Sequence, residues 1–237
     1  LVGVKMDRNI SVLIAAAGSG NRMGLNTKKQ YLMLMDKPIL QHTIEKFYSL
    51  DVVKKIIVII DYDGTDYVNK EIIDKNNFNS KVSIVTGGAT RMLSVYNGLL
   101  NLDLDTQQVV IHDGVRPFIA ESVILNAISM CNEKKAVVVC SKTVDTIKIV
   151  RNNTVVETLD RKVLWNAETP QCFEYNLLMS CMERALKTDI SFTDESSILE
   201  YFGYKVHICD NKDINIKITS RKDLEYAEYL IRKRGLI

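Results

Sequence analysis

Histidine is scarce in this chain: three occur in 237 residues, and no Ser-His-Asp or Cys-His constellation can be traced around them. That argues against chemistry built on a base-activated serine or cysteine. Cys-x-x-Cys spacing is also missing, and the five cysteines (Cys131, Cys140, Cys172, Cys181, Cys209) mostly lie in apolar runs. Neither a zinc cluster nor a disulfide framework is expected; reduced structural thiols in a cytoplasmic setting are. No apolar run approaches the length of a membrane span, and Leu1-Val2-Gly3-Val4-Lys5-Met6 lacks the build of a signal peptide. Met6 is the expected native start, with residues 1–5 an added remnant. Neither charge sign dominates, with 31 Lys and Arg against 29 Asp and Glu spread along the chain. No broad cationic face for nucleic acid follows, and any anion site must be local. Long linkers, internal repeats and low-complexity tracts are absent too. With 46% hydrophobic residues, the chain reads as one domain over 6–237.

What is present is an alternation of two periods. Apolar runs at Val12 to Ala16, Lys55 to Ile60, Val82 to Val85, Val109 to Ile111 and Ala136 to Cys140 predict strands. Between them, stripes of helical spacing occur at Leu40, Ile44 and Phe47, at Val68 and Ile72, at Met92, Val95 and Leu99, and at Val123, Ala127 and Cys131. Such alternation predicts an α/β fold with a doubly wound, mostly parallel sheet, whose ligands lie beyond the carboxyl ends of the strands. The pattern then changes. Thr146 to Val150 and Thr154 to Leu159 alternate polar and apolar residues around Asn152-Asn153, which predicts a hairpin reaching outward within a protruding arm over 142–163. Helices are expected at Tyr175 to Lys187 and Asp194 to Tyr201, then strands at Lys205 to Cys209 and Asn215 to Thr219. A last helix opens at Ser220 with Asp223 three residues on, a capping-box spacing.

The stretch after the first strand carries the strongest chemical signal. Ala15-Ala16-Ala17-Gly18-Ser19-Gly20-Asn21-Arg22-Met23-Gly24 is followed by Lys28-Lys29-Gln30-Tyr31. A turn of small residues lets backbone N–H groups approach an anion, and Arg22 and Lys29 add charge that glycines lack. The spacing fits neither dinucleotide nor kinase-type loops: the sixth position from Gly18 is Met23, and no glycine precedes Lys28 or Lys29. A polyphosphate is the expected ligand.

These residues resemble the signature of the nucleotidyltransferases that activate sugar and polyol phosphates, and most closely that of the 2-C-methyl-D-erythritol 4-phosphate cytidylyltransferase family. The likeness continues through Gly87-Gly88, Arg91 and Ser94, His112 to Phe118, Val144 to Lys148, Asp160-Arg161, Leu164-Trp165, Thr169-Pro170-Gln171, Thr193-Asp194-Glu195 and Asn215-Ile216-Lys217. It implies CTP and a polyol phosphate as substrates, Mg²⁺ held mainly by phosphates and water, and a homodimer in which the arm crosses to the partner. Lys29, Arg22 and Lys217 match the family's cationic positions around the triphosphate. Ala16, Ala17, Gly18, Gly20, Gly88 and Ser94 match its nucleotide contacts. Asp113 matches the acidic residue beside the polyol, and Thr146, Arg161 and Thr169 join Lys217 around the second phosphate. Arg116, held extended by Pro117, can reach either substrate or a structural carboxylate. His112 and Trp165 are read as packing residues.

One departure stands out. Where relatives commonly show Gly-Gly-Asp/Glu-x-Arg, this chain has Gly87-Gly88-Ala89-Thr90-Arg91, so a base contact from that acidic side chain is missing. A ribitol-5-phosphate cytidylyltransferase shares the grip and the reaction, but Lys29-Gln30-Tyr31, Asp145 to Lys148 and Leu164-Trp165 look more like the methylerythritol enzyme. A catalytically silent nucleotide sensor is the alternative of another class.

Overall fold

The computed structural model describes residues 9–18 and 28–235. Gly20 and Arg22 lie outside the described residues. So does the expected start at Met6.

A seven-stranded sheet forms the frame. It is built from β1 (Ile10–Ala15), β4 (Val53–Ile60), β5 (Val82–Thr86), β6 (Gln108–Asp113), β7 (Ala136–Lys142), β10 (Trp165–Glu174) and β11 (His207–Asp210). Two small antiparallel ribbons stand apart, β2 (Met33–Leu34) with β3 (Lys37–Pro38) and β8 (Lys148–Arg151) with β9 (Thr154–Thr158). The order across the sheet is β11-β7-β10-β6-β1-β4-β5. All neighbours pair in parallel except β10, which runs antiparallel between β6 and β7. The chain proceeds outward from β1 to β4 and β5, then returns to place β6 on the other side of β1. That reversal between β1 and β6 opens a crevice at their carboxyl ends.

Strand residues alternate between two cores because successive side chains point to opposite faces. Ile10, Val12 and Ile14 of β1 pack with α1 (Ile39–Tyr48) and, farther along the same face, α4 (Glu121–Lys134). Leu13 of β1 packs on the other face with α3 (Arg91–Leu100), α5 (Tyr175–Ala185) and α6 (Glu195–Tyr201). The segment carrying Val68 and Ile72 starts as one turn, α2 (Thr65–Tyr67), and continues with π winding through Val68–Asp74. That winding brings residues five apart onto one face, which is how Ile73 joins Val68 in the core.

The last helix, α7 (Arg221–Arg234), opens as expected. The Asp223 N–H donates to Ser220 Oγ, and the Ser220 N–H donates to Asp223 Oδ2. The hairpin also forms as read: Arg151 pairs with Thr154 across Asn152 and Asn153, both with positive φ, the twist that a two-residue turn demands.

Two readings need correction. The whole of β10 went unpredicted. Asn166, Glu168, Thr169 and Gln171 break its apolar pattern, and Pro170 cannot donate to a ladder; the strand accommodates it where its register against β7 shifts between Ala167 and Gln171. Conversely, Asn215 to Thr219 is not a strand. Its isoleucines alternate, but the segment lies beside Val115 with Ile218 N–H donating to Val115 O (2.9 Å), and Ile218 packs against Leu34, Phe118 and α7 rather than in the sheet.

Candidate active site

The crevice holds a cavity of about 420 Å³, lined by Ala16, Ala17 and Gly18 after β1, Gly88 and Ser94 after β5, Asp113 at the end of β6, and Lys29 and Lys217. A neighbouring cavity of about 210 Å³ is lined by Arg116, Thr169, Gln171 and Asp194. Arg91, Asp113 and Lys217 belong to both walls. The ammonium-bearing residues 29 and 217, far apart in sequence, thus share one cavity.

The residues that follow β1, Ala16 to Gly18, are fixed from below. Gln30, 1% exposed, donates from Nε2 to Ala16 O (2.7 Å), which ties the short helical turn Lys29–Tyr31 to the end of β1. Lys28 pairs with Asp61, and the Tyr31 ring lies against Tyr67 and so close to Gly64 that a Cβ there would meet its hydroxyl. Lys29 is therefore carried on a segment anchored at both ends.

The opposite wall depends on close approach. A Cβ on Gly87 would stand 2.6 Å from Ala17 Cβ, and one on Gly88 2.6 Å from Leu93 Cβ. Ser94 Oγ accepts from the Gly88 N–H (3.0 Å) and donates to Thr90 O (2.8 Å), while Thr90 Oγ1 caps α3 by accepting from the Leu93 N–H (3.1 Å). The Ser94 hydroxyl shapes the loop whose backbone groups face the cavity.

Asp113 is the electrostatic centre. Its Oδ2 receives Lys217 Nζ at 2.8 Å and Arg116 Nε at 3.2 Å, and its backbone N–H donates to Thr169 Oγ1 (3.1 Å). Burial works against the charged form, yet Lys217, Arg116 and Arg91 overcome it and hold this carboxyl at about 2. Arg116 therefore meets a carboxylate that itself lines the site, and its Nη1 donates to Asn215 O (2.7 Å). Asn215 in turn donates to Thr169 O and Glu168 Oε2, both 2.8 Å, so β10 and the segment bearing Lys217 are locked together.

His112 is wholly buried against Phe47 with Nε2 on Arg116 O (3.0 Å), and burial drives its imidazole down to about 4. It is neutral at pH 7. Thr146 and Arg161 lie on the arm, exposed, and line neither cavity of their own chain; Arg161 Nη1 donates to Val144 O (3.0 Å). Sequence reasoning assigned no role to Gln30, Arg91, Gln171 or Glu195. An arginine opening a helix directly after a glycine turn was the available signal for Arg91.

The donor set bears on the expected Mg²⁺. Among the described lining residues of the larger cavity Asp113 is the only carboxylate, with Lys29, Arg91 and Lys217 around it. Such a set suits a cation that arrives with its own phosphate oxygens and keeps its waters.

A family model described as 2-C-methyl-D-erythritol 4-phosphate cytidylyltransferase matches residues 10–233. A protein of that name from Clostridioides difficile is 45% identical over 221 residues, covering 93% of each chain. One from Caldanaerobacter subterraneus is 38% identical over 226 residues, 95% of this chain and all of the relative. The crystal structure of 4-diphosphocytidyl-2C-methyl-D-erythritol synthase from Anaerococcus prevotii superposes with a TM-score of 0.85 at 31% identity, over 95% of this chain and 97% of that one. The Francisella tularensis 2-C-methyl-D-erythritol 4-phosphate cytidylyltransferase gives 0.77, also at 31% identity, over 93% and 99%. With a cationic crevice at the sheet's switch point and relatives matching along nearly its full length, the chain belongs to the 2-C-methyl-D-erythritol 4-phosphate cytidylyltransferase family of nucleotidyltransferases.

Proposed function

We propose that this enzyme joins CTP to 2-C-methyl-D-erythritol 4-phosphate, releasing pyrophosphate, and that it works as a cytoplasmic homodimer. The observation that carries the reading is the wall of Arg91, Asp113 and Lys217 shared by two adjoining cavities, one bounded by Ala16 to Gly18 and the other by Thr169. A triphosphate in the first and a phosphomonoester in the second would meet at that wall.

The nucleophile needs no general base, because a phosphate monoester loses its second proton near pH ~6. Its anionic oxygen attacks the α-phosphorus in line as the bond to the leaving pyrophosphate oxygen breaks. The protein supplies placement and positive charge, from Lys29, Lys217 and Arg22, where the phosphorus gathers negative charge. Ala16, Ala17, Gly18, Gly20, Gly88 and Ser94 surround the nucleotide, and Asp113 and Arg116 face the polyol. Mg²⁺, when bound, would supply charge neutralisation on the leaving phosphates, and Asp113 is the carboxylate among the described lining residues that would face it.

Thr146 and Arg161 serve the partner's site. Supporting this, the arm exposes Val144, Val150, Val155, Val156 and Val163, apolar surface that a second copy would cover. The cytoplasmic setting is supported by five buried cysteines, none of them in a disulfide. No helix among the described residues is long and apolar enough to cross a membrane.

Pyrophosphate release across CTP, ATP, GTP and UTP, each with methylerythritol 4-phosphate or ribitol 5-phosphate and with or without Mg²⁺, tests the reaction. CTP with methylerythritol phosphate and Mg²⁺ is expected to lead. Faster turnover of ribitol phosphate reassigns the substrate, and CTP binding with no pyrophosphate from any pair supports a sensor. The arm is tested by mixing Arg161→Ala with Lys217→Met chains. Crossed arms restore one intact site per mixed dimer, about a quarter of wild-type activity after full exchange. Arms that serve their own chain restore nothing.

A further inference from the structure

Glu195 is 1% exposed, and burial pushes its carboxyl above the usual range against the pull of Arg91. Its Oε1 receives Arg91 Nη1, and its Oε2 has no hydrogen-bond partner. The helix that carries it is bolted to the sheet. Asp194 caps α6 in a capping box with Ser197, Gln171 Nε2 donates to Asp194 Oδ2 (2.8 Å), and the Ser196 N–H donates to Gln171 Oε1 (3.0 Å). The Glu195 carboxylate is therefore presented from a rigid helix start to a residue in the wall between the two cavities.

Stability alone is a poor reason for this arrangement, because a buried ion pair seldom outperforms packed apolar groups of the same volume. Its geometry has another consequence. Of the five N–H donors of the Arg91 guanidinium, one is spent on Glu195, and the side chain is 35% exposed toward the cavities. Held at one corner, the planar fork keeps its remaining donors for a phosphate. We infer that Glu195 is a positioning residue that aims Arg91 at the phosphate of the polyol substrate, at the boundary between the two cavities. This rests on the reaction proposed above.

Glu195→Asp keeps the charge and withdraws the carboxylate by one methylene, whereas Glu195→Gln keeps the reach and removes the charge. Positioning predicts that Glu195→Asp raises KM for methylerythritol 4-phosphate about tenfold, with KM for CTP and kcat moving far less, and that Glu195→Gln stays within about threefold of wild type. A merely structural pair predicts the reverse emphasis: Glu195→Gln lowers the melting temperature most and neither variant moves KM. That second pattern overturns the inference. Should Glu195→Asp fail to fold, Arg91→Lys retains the charge and loses the fork; an unchanged KM there overturns the inference equally. The wild type is run alongside. If it makes no pyrophosphate from this pair, the substrate reading fails on its own, and calorimetry with inorganic phosphate decides the role of Glu195: about tenfold weaker binding by Glu195→Asp than by wild type supports it, and equal binding refutes it.

Discussion

Lys217→Met is expected to lower kcat 10²- to 10³-fold, the usual cost of losing one preorganised charge contact to the transition state, with little change in fold. The Lys217 ammonium sits 2.8 Å from Asp113 Oδ2 in the wall common to both cavities, and its side chain remains 38% exposed. The segment that carries it does not depend on that ammonium. It is held by Ile218 N–H on Val115 O, by Asn215 on Thr169 O, and by Arg116 on Asn215 O. The pair is partly exposed on the Lys217 side and buried on the Asp113 side, where Arg116 and Arg91 still hold the carboxylate, so the melting temperature should fall by several degrees while the chain stays folded. Lys29→Ala should cost turnover on the same scale, since Lys29 lines the same cavity and the turn Lys29–Tyr31 has anchors of its own in Gln30 and Tyr31. Single-turnover pyrophosphate release at saturating substrates, with a circular dichroism melt, checks both. Near-normal turnover of either folded variant removes that lysine from the chemistry.

The sequence disclosed the frame of the fold more readily than the scaffold of the site. Strands β1, β4 and β6 are buried on both faces, so their apolar runs are legible without any partner in view. Ser220 with Asp223 and Asn152 with Asn153 act within a few residues, which is why the helix start and the hairpin turn could be read locally. β10 was hidden because its side chains are committed elsewhere. Glu168 receives Asn211 and Asn215, Thr169 receives the Asp113 N–H, and Gln171 bridges Asp194 and Ser196. A strand that spends its polar residues on a site loses the alternation that would announce it. Asn215 to Thr219 misled for the opposite reason: its isoleucines alternate, but their burial is against α7 and Val115 and not across a ladder. The meeting of Lys29 with Lys217 came from family resemblance, since no local pattern encodes a contact between opposite ends of a chain. Arg91 and Glu195 stood within quoted motifs, yet their partnership is visible only once α3 and α6 lie on the same face of the sheet.

Asp113→Asn is expected to cost about 2 kcal/mol of stability at neutral pH, and the cost should vanish in acid. The Asp113 carboxyl, 10% exposed, is held at about 2 in the folded chain against an ordinary 3.8, because Lys217, Arg116 and Arg91 outweigh its burial. The depressed value makes the sign definite. The folded chain binds this proton less readily than the unfolded chain, so the stabilisation is fully present above pH ~4 and is lost as pH falls toward ~2. A shift of nearly two units corresponds to about 2 kcal/mol. The asparagine variant lacks this contribution at every pH and leaves two cations facing an amide. Other carboxylates also titrate in this window, Asp194 among them, with its value lowered by hydrogen bonds from Ser197, Gln171 and Ser196 that overcome its burial. Those contributions are common to both proteins and cancel in the difference. Urea denaturation of wild type and variant at pH 7, 4, 3 and 2 should therefore show a gap that holds to pH ~4 and closes by pH ~2. A gap that is constant through pH 2 would mean that Asp113 acts by shape rather than charge, and the electrostatic centre assigned to this site would have to be moved.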